Sequence, residues 1–426
     1  MTTIWPLLKI ALAFIAILTG IRFKLGIGTS ILLGSLLLAL LFGVQPLEWA
    51  TIAAIGIYHE KVLLLGGIVL LILYFSDILE RSGQGRRMMN HISGLLHWPR
   101  PRLVFFPALI GLLPMPGGAI FSAPMLKEIA APFSISPQRF VQLNYWFRHV
   151  WELCWPLYPG IILAAFIADI ALFRLLMFTW PSLVLTILLG WLFFLRPGVL
   201  PLTDHAPVAE VSEKRSLAPL LRESLPLLIA VFGSLGLEGL IALLSPEIPM
   251  EWGFIIALSA AVTCLVLQNR LPGRMLVTVI KSPHALRMLF LVAAIFAFKA
   301  VLEQGGIVDA LAGSVSTPTA LFWISVFLPF IVGMISGLTV AFVGGVLPLI
   351  MGLAANLHIE QTTGYVVLVL FSGFIGVLAS PLHICLILTC EYFHARLDEV
   401  LKSLALPCGI MLLFAVAYAR LIMEFW

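Results

Sequence analysis

Apolar runs of membrane-span length recur along the whole chain, from Ile4 to Trp426. A bilayer core offers no water to backbone N–H and C=O groups, so each run must bond its own backbone as α-helix unless protein shields it. With 61% of its 426 residues hydrophobic and 11% charged, the chain reads as an all-α polytopic membrane protein. The five cysteines, Cys154, Cys264, Cys385, Cys390 and Cys408, lie in apolar segments without metal-type clustering. They read as small buried residues with no disulfide. The run Ile4–Gly20 lacks a basic start followed by a small-residue cleavage pattern, so it is expected to stay as a helix.

Uninterrupted spans are expected at Trp5–Ile21, Leu25–Val44, Val62–Leu79, Phe173–Leu195, Leu220–Leu244, Trp252–Leu267, Leu286–Leu302 and Leu404–Phe425. Two further runs, Pro137–Ile170 and Thr363–Phe393, are too long for one helix and are broken at Trp155–Gly160 and Ser380–Pro381. This gives about ten transmembrane helices. Gly85–Trp98 is basic and amphipathic, as in a helix lying in the interface, and Gly305–Ser316 is a second short segment of that kind.

The run Leu112–Pro124 cannot be an ordinary span. Pro114 and Pro116 remove backbone donors, and Gly117 and Gly118 permit a sharp turn. The apolar stretches on either side are each about half a span long. A re-entrant hairpin over 102–131 fits, and irregular backbone at that depth must be buried in protein or line a cavity. A second glycine-rich hairpin is expected over 320–353, centred on Gly333–Thr339.

The two halves repeat. Pro381 lies 225 positions after Pro156, Pro348 lies 224 after Pro124, and Glu303 lies 223 after Glu80. The chain divides into a first repeat (1–196, five spans plus a cytoplasmic-side hairpin), a linker (197–216) and a second repeat (217–426, five spans plus an outer-side hairpin). Five spans per copy is an odd number, so the copies have inverted topology. Paired interrupted segments in inverted halves are the sequence pointer to a secondary transporter's binding site. The formal net charge of +4 matters less than its placement. With both termini outside, the loops Ser245–Glu251, Glu303–Pro318 and Ala354–Thr362 carry no Lys or Arg, while most basic residues fall inside.

Arg148, His149 and Glu152 precede the first break. A charge at the bilayer centre costs roughly 2.5–3.5 kcal/mol on insertion scales, so these residues should face a cavity or a partner. Arg148 and Glu152 are four apart and can brace one another on one helix face. Alternatively, Arg148 holds an anionic solute and His149 or Glu152 exchanges protons. Gly117, Gly118 and Ser122 mark the first hairpin tip, and Ser336, Gly337 and Thr339 the second. Hydroxyls and free N–H groups at half-helix ends suit a carboxylate, and free carbonyls near Gly117, Gly118, Gly337 and Thr339 suit Na⁺. The competing expectation is that Ser and Thr bond back to their own helix. Ser380 and His383 bracket the second break, and an imidazole in an apolar run requires a ligand or a carbonyl. Asn144 either contacts solute or braces helices.

A hairpin followed by a broken helix, repeated in inverted order, resembles the ion-transporter superfamily, which includes divalent-anion/sodium symporters and gluconate and citrate transporters. The strings LPMPGGAIFSAP (Leu113–Pro124), NYWFRHVWELCWP (Asn144–Pro156) and SPLHICLILT (Ser380–Thr389) resemble a prokaryotic ten-span family of that superfamily, number 401 in the domain-of-unknown-function series. The resemblance implies elevator-type alternating access, a homodimer and residence in a prokaryotic inner membrane. By the same resemblance, the first three spans of each half form a scaffold and the hairpins, broken helices and last spans move. The dicarboxylate branch carries Ser-Asn-Thr at both tips; here the tips have no Asn. The expected function is therefore secondary transport of a small organic anion, with a carboxylate as first choice, coupled to H⁺ or Na⁺. A cation/proton antiporter is the alternative, with Glu152 as the exchange site. A membrane-embedded enzyme is not expected, because HExxH, GxSxG and paired intramembrane aspartates are all missing. No cofactor beyond the coupling ion and no nucleic-acid partner is expected.

Overall fold

Helix starts follow the punctuation of the sequence. In the computed structural model, which describes residues 4–93, 98–112, 118–200, 217–245, 247–271 and 282–425, no strand occurs among the described residues. α1 (Ile4–Arg22), α2 (Ile27–Leu41), α3 (Pro46–Ile57) and α4 (Glu60–Arg81) lead to the short amphipathic α5 (Gln84–Ser93). α6 (Pro99–Gly111), α7 (Ala119–Ile129), α8 (Pro137–Arg148), α9 (Pro159–Ala168) and α10 (Leu172–Leu195) follow. The rest comprises α11 (Ala218–Leu244), α12 (Trp252–Asn269), α13 (Pro283–Gln304) and α14 (Ile307–Ala312), then α15 (Pro318–Ser336), α16 (Thr339–Asn356), α17 (Thr363–Leu378), α18 (Ile384–Phe393) and α19 (Leu397–Phe425). Ser136, Ser282 and Thr317 each cap a helix through the hydroxyl, with Pro at the next position. Capping and a fixed φ start the helix where a free N–H would otherwise be lost.

Nine of the described helices are long and apolar enough to cross a membrane, so this is a multi-pass membrane protein. The outermost helices expose large apolar side chains such as Trp5, Leu8, Leu188, Leu221 and Phe232, the surface a lipid environment accepts. α17 lies at the centre, buried from Gly364 to Leu378 on every face. It packs most extensively on α15. A Cβ on Gly333 would meet the Gly373 backbone, and one on Gly376 would meet the Phe330 backbone. Small residues at this contact let the two backbones approach closely.

Several boundaries differ from the sequence expectation. The loop expected after the second span is a helix, α3, started by Pro46 and packed on α13. The first break begins earlier than Trp155: α8 ends at Arg148, and turns fill 149–158 before Pro159 starts α9. These turns are held from outside, by Trp151 Nε1–H to Ala108 O (2.9 Å) and Tyr158 Oη–H to Gly111 O (2.5 Å). The second break, between α17 and α18, falls at Ala379–His383 as expected. Helices α6 and α7 have 13 and 11 residues, near half a span, but α15 and α16 have 19 and 18 and are not half-length arms. The first hairpin tip, including Gly117, and most of the linker lie outside the described residues.

On the side of α5, Gln84 is buried and bonds to Gln268, Asn269 and the Glu223 carbonyl, while Arg87 reaches Glu223 and Asn269. This polar cluster ties α5 to α11 and α12.

Candidate functional site

The two broken helices meet. α18 packs on α7 and α8, while α16 packs on α9. Four helix N-termini are thereby brought together, those of α7, α9, α16 and α18. The first N–H groups of any helix lack a carbonyl one full turn back, and each such end carries a partial positive charge.

Arg148 and His149 stand at the C-terminal end of α8, both about 5% exposed. The Arg148 guanidinium lies against Gly118, the residue that leads into α7. A Cβ there would sit 2.6 Å from Nη2 of Arg148. Because α8 ends at Arg148, the expected one-face pairing of Arg148 with Glu152 has no helix to carry it. Glu152 instead accepts a hydrogen bond from Thr339 Oγ1 at 2.7 Å, across to the start of α16. Gly160, in the first turn of α9, faces the Thr339 methyl group, where a Cβ would fall 2.5 Å away.

His149 and His383 pair across the chain. Their Nε2 atoms are 3.1 Å apart, and Tyr145 lies edge-on to both rings. His149 Nδ1 is 2.7 Å from the Tyr145 carbonyl, and His383 Nδ1 is 2.7 Å from the Gly337 carbonyl. A carbonyl only accepts, so each Nδ1 carries the donated proton. Gly337 allows this contact: it takes φ +65°, and a Cβ there would meet the backbone of His383. Cys385 completes the group, with its sulfur and the two imidazole nitrogens within 4.8 Å of one another and all three residues buried.

The sequence candidates divide into two sets. Gly118, Arg148, His149, Glu152, Gly337, Thr339 and His383 come together. Ser122 bonds back to Gly118 and Ala119 carbonyls, Ser336 bonds within its turn to Leu338, and Ser380 caps the backbone of Leu382. Asn144, fully buried, donates to Thr389 Oγ1 at 3.2 Å and so braces α8 on α18, with its own Oδ1 lacking a partner among the described residues. The carbonyl of Gly337, offered for Na⁺, and the hydroxyl of Thr339, offered for a carboxylate, are engaged by His383 and Glu152.

Sequence reasoning missed Tyr145 and Cys385, and took Tyr158 only as part of the first break. The reading of all five cysteines as small buried residues is corrected at two points. Cys154 and Cys264 are only partly buried, and Cys385 belongs to the histidine cluster. The His-x-Cys spacing of His383 and Cys385 was the available signal. The partner that gives it meaning, His149, lies 234 residues away.

No curated protein matches the chain. A family model does match it, over residues 7–422, and the chain belongs to the family described as protein of unknown function (DUF401).

Proposed function

We propose that this protein is a secondary active transporter of a small organic anion, a carboxylate as first choice, coupled to H⁺ or Na⁺. The observation that carries the reading is the buried Arg148 guanidinium set against the start of α7, with the starts of α9 and α16 meeting at Gly160 and Thr339 and that of α18 reaching His149, the residue after Arg148. Positive helix ends and a guanidinium fork are the two devices that recognise a carboxylate away from water. The residues around the solute are Gly118, Arg148, Gly337, Thr339 and His383.

Inverted repeats are supported by matched element lengths. α4 and α13 both have 22 residues, α9 and α18 both have 10, and the last two end in left-handed caps at Asp169 and His394. Re-entrance of the first hairpin is supported by arms too short to cross, and that of the second by the contact of Gly337 with the break at His383. The protein belongs by this reading to the ion-transporter superfamily and works as an elevator-type homodimer in a prokaryotic inner membrane, with both termini outside. It performs no covalent chemistry and takes no nucleic-acid partner.

The test is uptake of small carboxylates into proteoliposomes under imposed pH or Na⁺ gradients. Arg148→Ala should lower uptake at least tenfold, and Arg148→Lys should lower it by less, since charge is kept and the fork is lost. Thermal melting separates loss of site from loss of fold. Full uptake in well-folded Arg148→Ala would sink the assignment. Na⁺-dependent proton movement without any carboxylate uptake would instead favour a cation/proton antiporter.

A further inference from the structure

The pairing of His149 with His383 has a chemical requirement. With each Nδ1–H committed to a carbonyl, both Nε2 atoms present lone pairs, and these face one another at 3.1 Å. Two acceptors so close need a cation between or beside them. A proton meets that need for the two rings alone. It leaves unexplained a third donor, Cys385, whose sulfur lies within 4.8 Å of a ring nitrogen of each histidine and which is buried with them.

We propose that His149, His383 and Cys385 form a binding site for a borderline-soft transition-metal ion of the zinc class. Nitrogens about 2.0–2.1 Å from one tetrahedral ion lie roughly 3.3 Å apart, close to the observed separation. A sulfur at about 2.3 Å from the same ion lies roughly 3.6 Å from each nitrogen, an approach a cysteine side chain makes by a small rotation. Imidazole plus thiolate is the donor set that selects zinc-class over hard cations. Holding the far ring nitrogen on a backbone carbonyl is the usual outer-shell arrangement of ligating histidines, and here both histidines have it. On binding, the Cys385 S–H bond breaks as the S–metal bond forms, and the proton leaves to solvent. A divalent ion with one thiolate carries a single net positive charge. Glu152 and Arg148 are the nearby charged groups in sequence and offset one another. Three protein ligands leave a fourth position for water or for an anionic group.

The ligands come from both halves of the chain. His149 ends α8, while His383 caps α18 and Cys385 lies in its first turn. The ion would therefore clasp the two broken helices at their breaks. This inference does not depend on transport.

The test uses full-length protein in nanodiscs, stripped with a chelator and titrated with Co²⁺ as the probe. The expected result is one cobalt per chain, the visible bands of tetrahedral cobalt, a near-ultraviolet thiolate-to-cobalt charge-transfer band, and release of a proton per ion. Cys385→Ser should abolish the charge-transfer band. Cys390→Ser and Cys408→Ser should keep it. His383→Gln should weaken binding by more than the roughly 10–100-fold typical of losing an outer-shell partner. A wild-type titration without the charge-transfer band overturns the proposal whatever the variants do. So does unchanged cobalt binding by well-folded Cys385→Ser, and the two rings then share a proton only.

Discussion

At Gly118 the missing side chain admits the Arg148 guanidinium to the start of α7. Gly118→Ala would push aside the far end of a flexible arginine rather than any backbone, so its cost to stability should be small. Its cost to function should be large, because displacing a charged fork by about 1 Å is worth up to roughly 100-fold. The expected outcome is an unchanged thermal melt with apparent solute affinity reduced by ten- to a hundredfold, read in binding or uptake assays. An equal loss of fold and affinity would show that Gly118 matters only for packing. At this scale sequence and structure agree unevenly. Arg148, His149, Glu152, Thr339 and His383 were legible because polar groups in apolar runs demand a partner. The identity of each partner was not, because Thr339 finds Glu152 and His383 finds His149 only through the tertiary fold. The serines behaved as local chemistry dictates and bonded to their own turns.

Among the elements, the breaks are the informative case. Proline marked both of them, joined by glycine only in the first, and Ala379–His383 fell where expected. The first break is longer than Pro156 alone requires, because Trp151 and Tyr158 anchor its turns to α6 carbonyls. Such anchoring is invisible to a local reading. Gly337 offers a direct test of how one turn supports the other break. Its φ of +65° costs an L-residue about 1–2 kcal/mol, and a Cβ would also lie 2.9 Å from the backbone nitrogen of His383. Gly43 has φ +88° and nothing within 4 Å of the place a Cβ would take, so it isolates the conformational cost. Melting in detergent should therefore rank wild type above Gly43→Ala, and Gly43→Ala above Gly337→Ala. Equal effects of the two substitutions would mean that the contact with His383 carries no energy.

For the molecule as a whole, the apolar runs already dictated an all-helical bundle, since the bilayer permits little else. The span-length arms α15 and α16 and the extra helix α3 were not legible. Hydropathy measures how much chain is apolar, and not where packing ends a helix. Two polar contacts between parts expected to stay still and parts expected to move meet at one corner, the turn before α10. There Lys61 of α4 pairs with Asp169 at 2.5 Å, and Glu238 of α11 accepts from Leu172 N–H at 2.8 Å. Lys61 and Asp169 are partly or largely exposed, so their pair contributes little. Glu238 is 4% exposed, and its carboxyl oxygen caps the start of α10.

That corner has a kinetic consequence. If α10 travels relative to α11, the bond from Leu172 to Glu238 must open on every stroke, and it acts as a detent that sets the waiting time between strokes. Glu238→Ala removes the acceptor, and a bond of this kind contributes roughly 1 kcal/mol. Turnover should rise about fivefold, with a shallower temperature dependence of the uptake rate, while Lys61→Ala changes little. A slower Glu238→Ala protein would mean that α10 and α11 travel together.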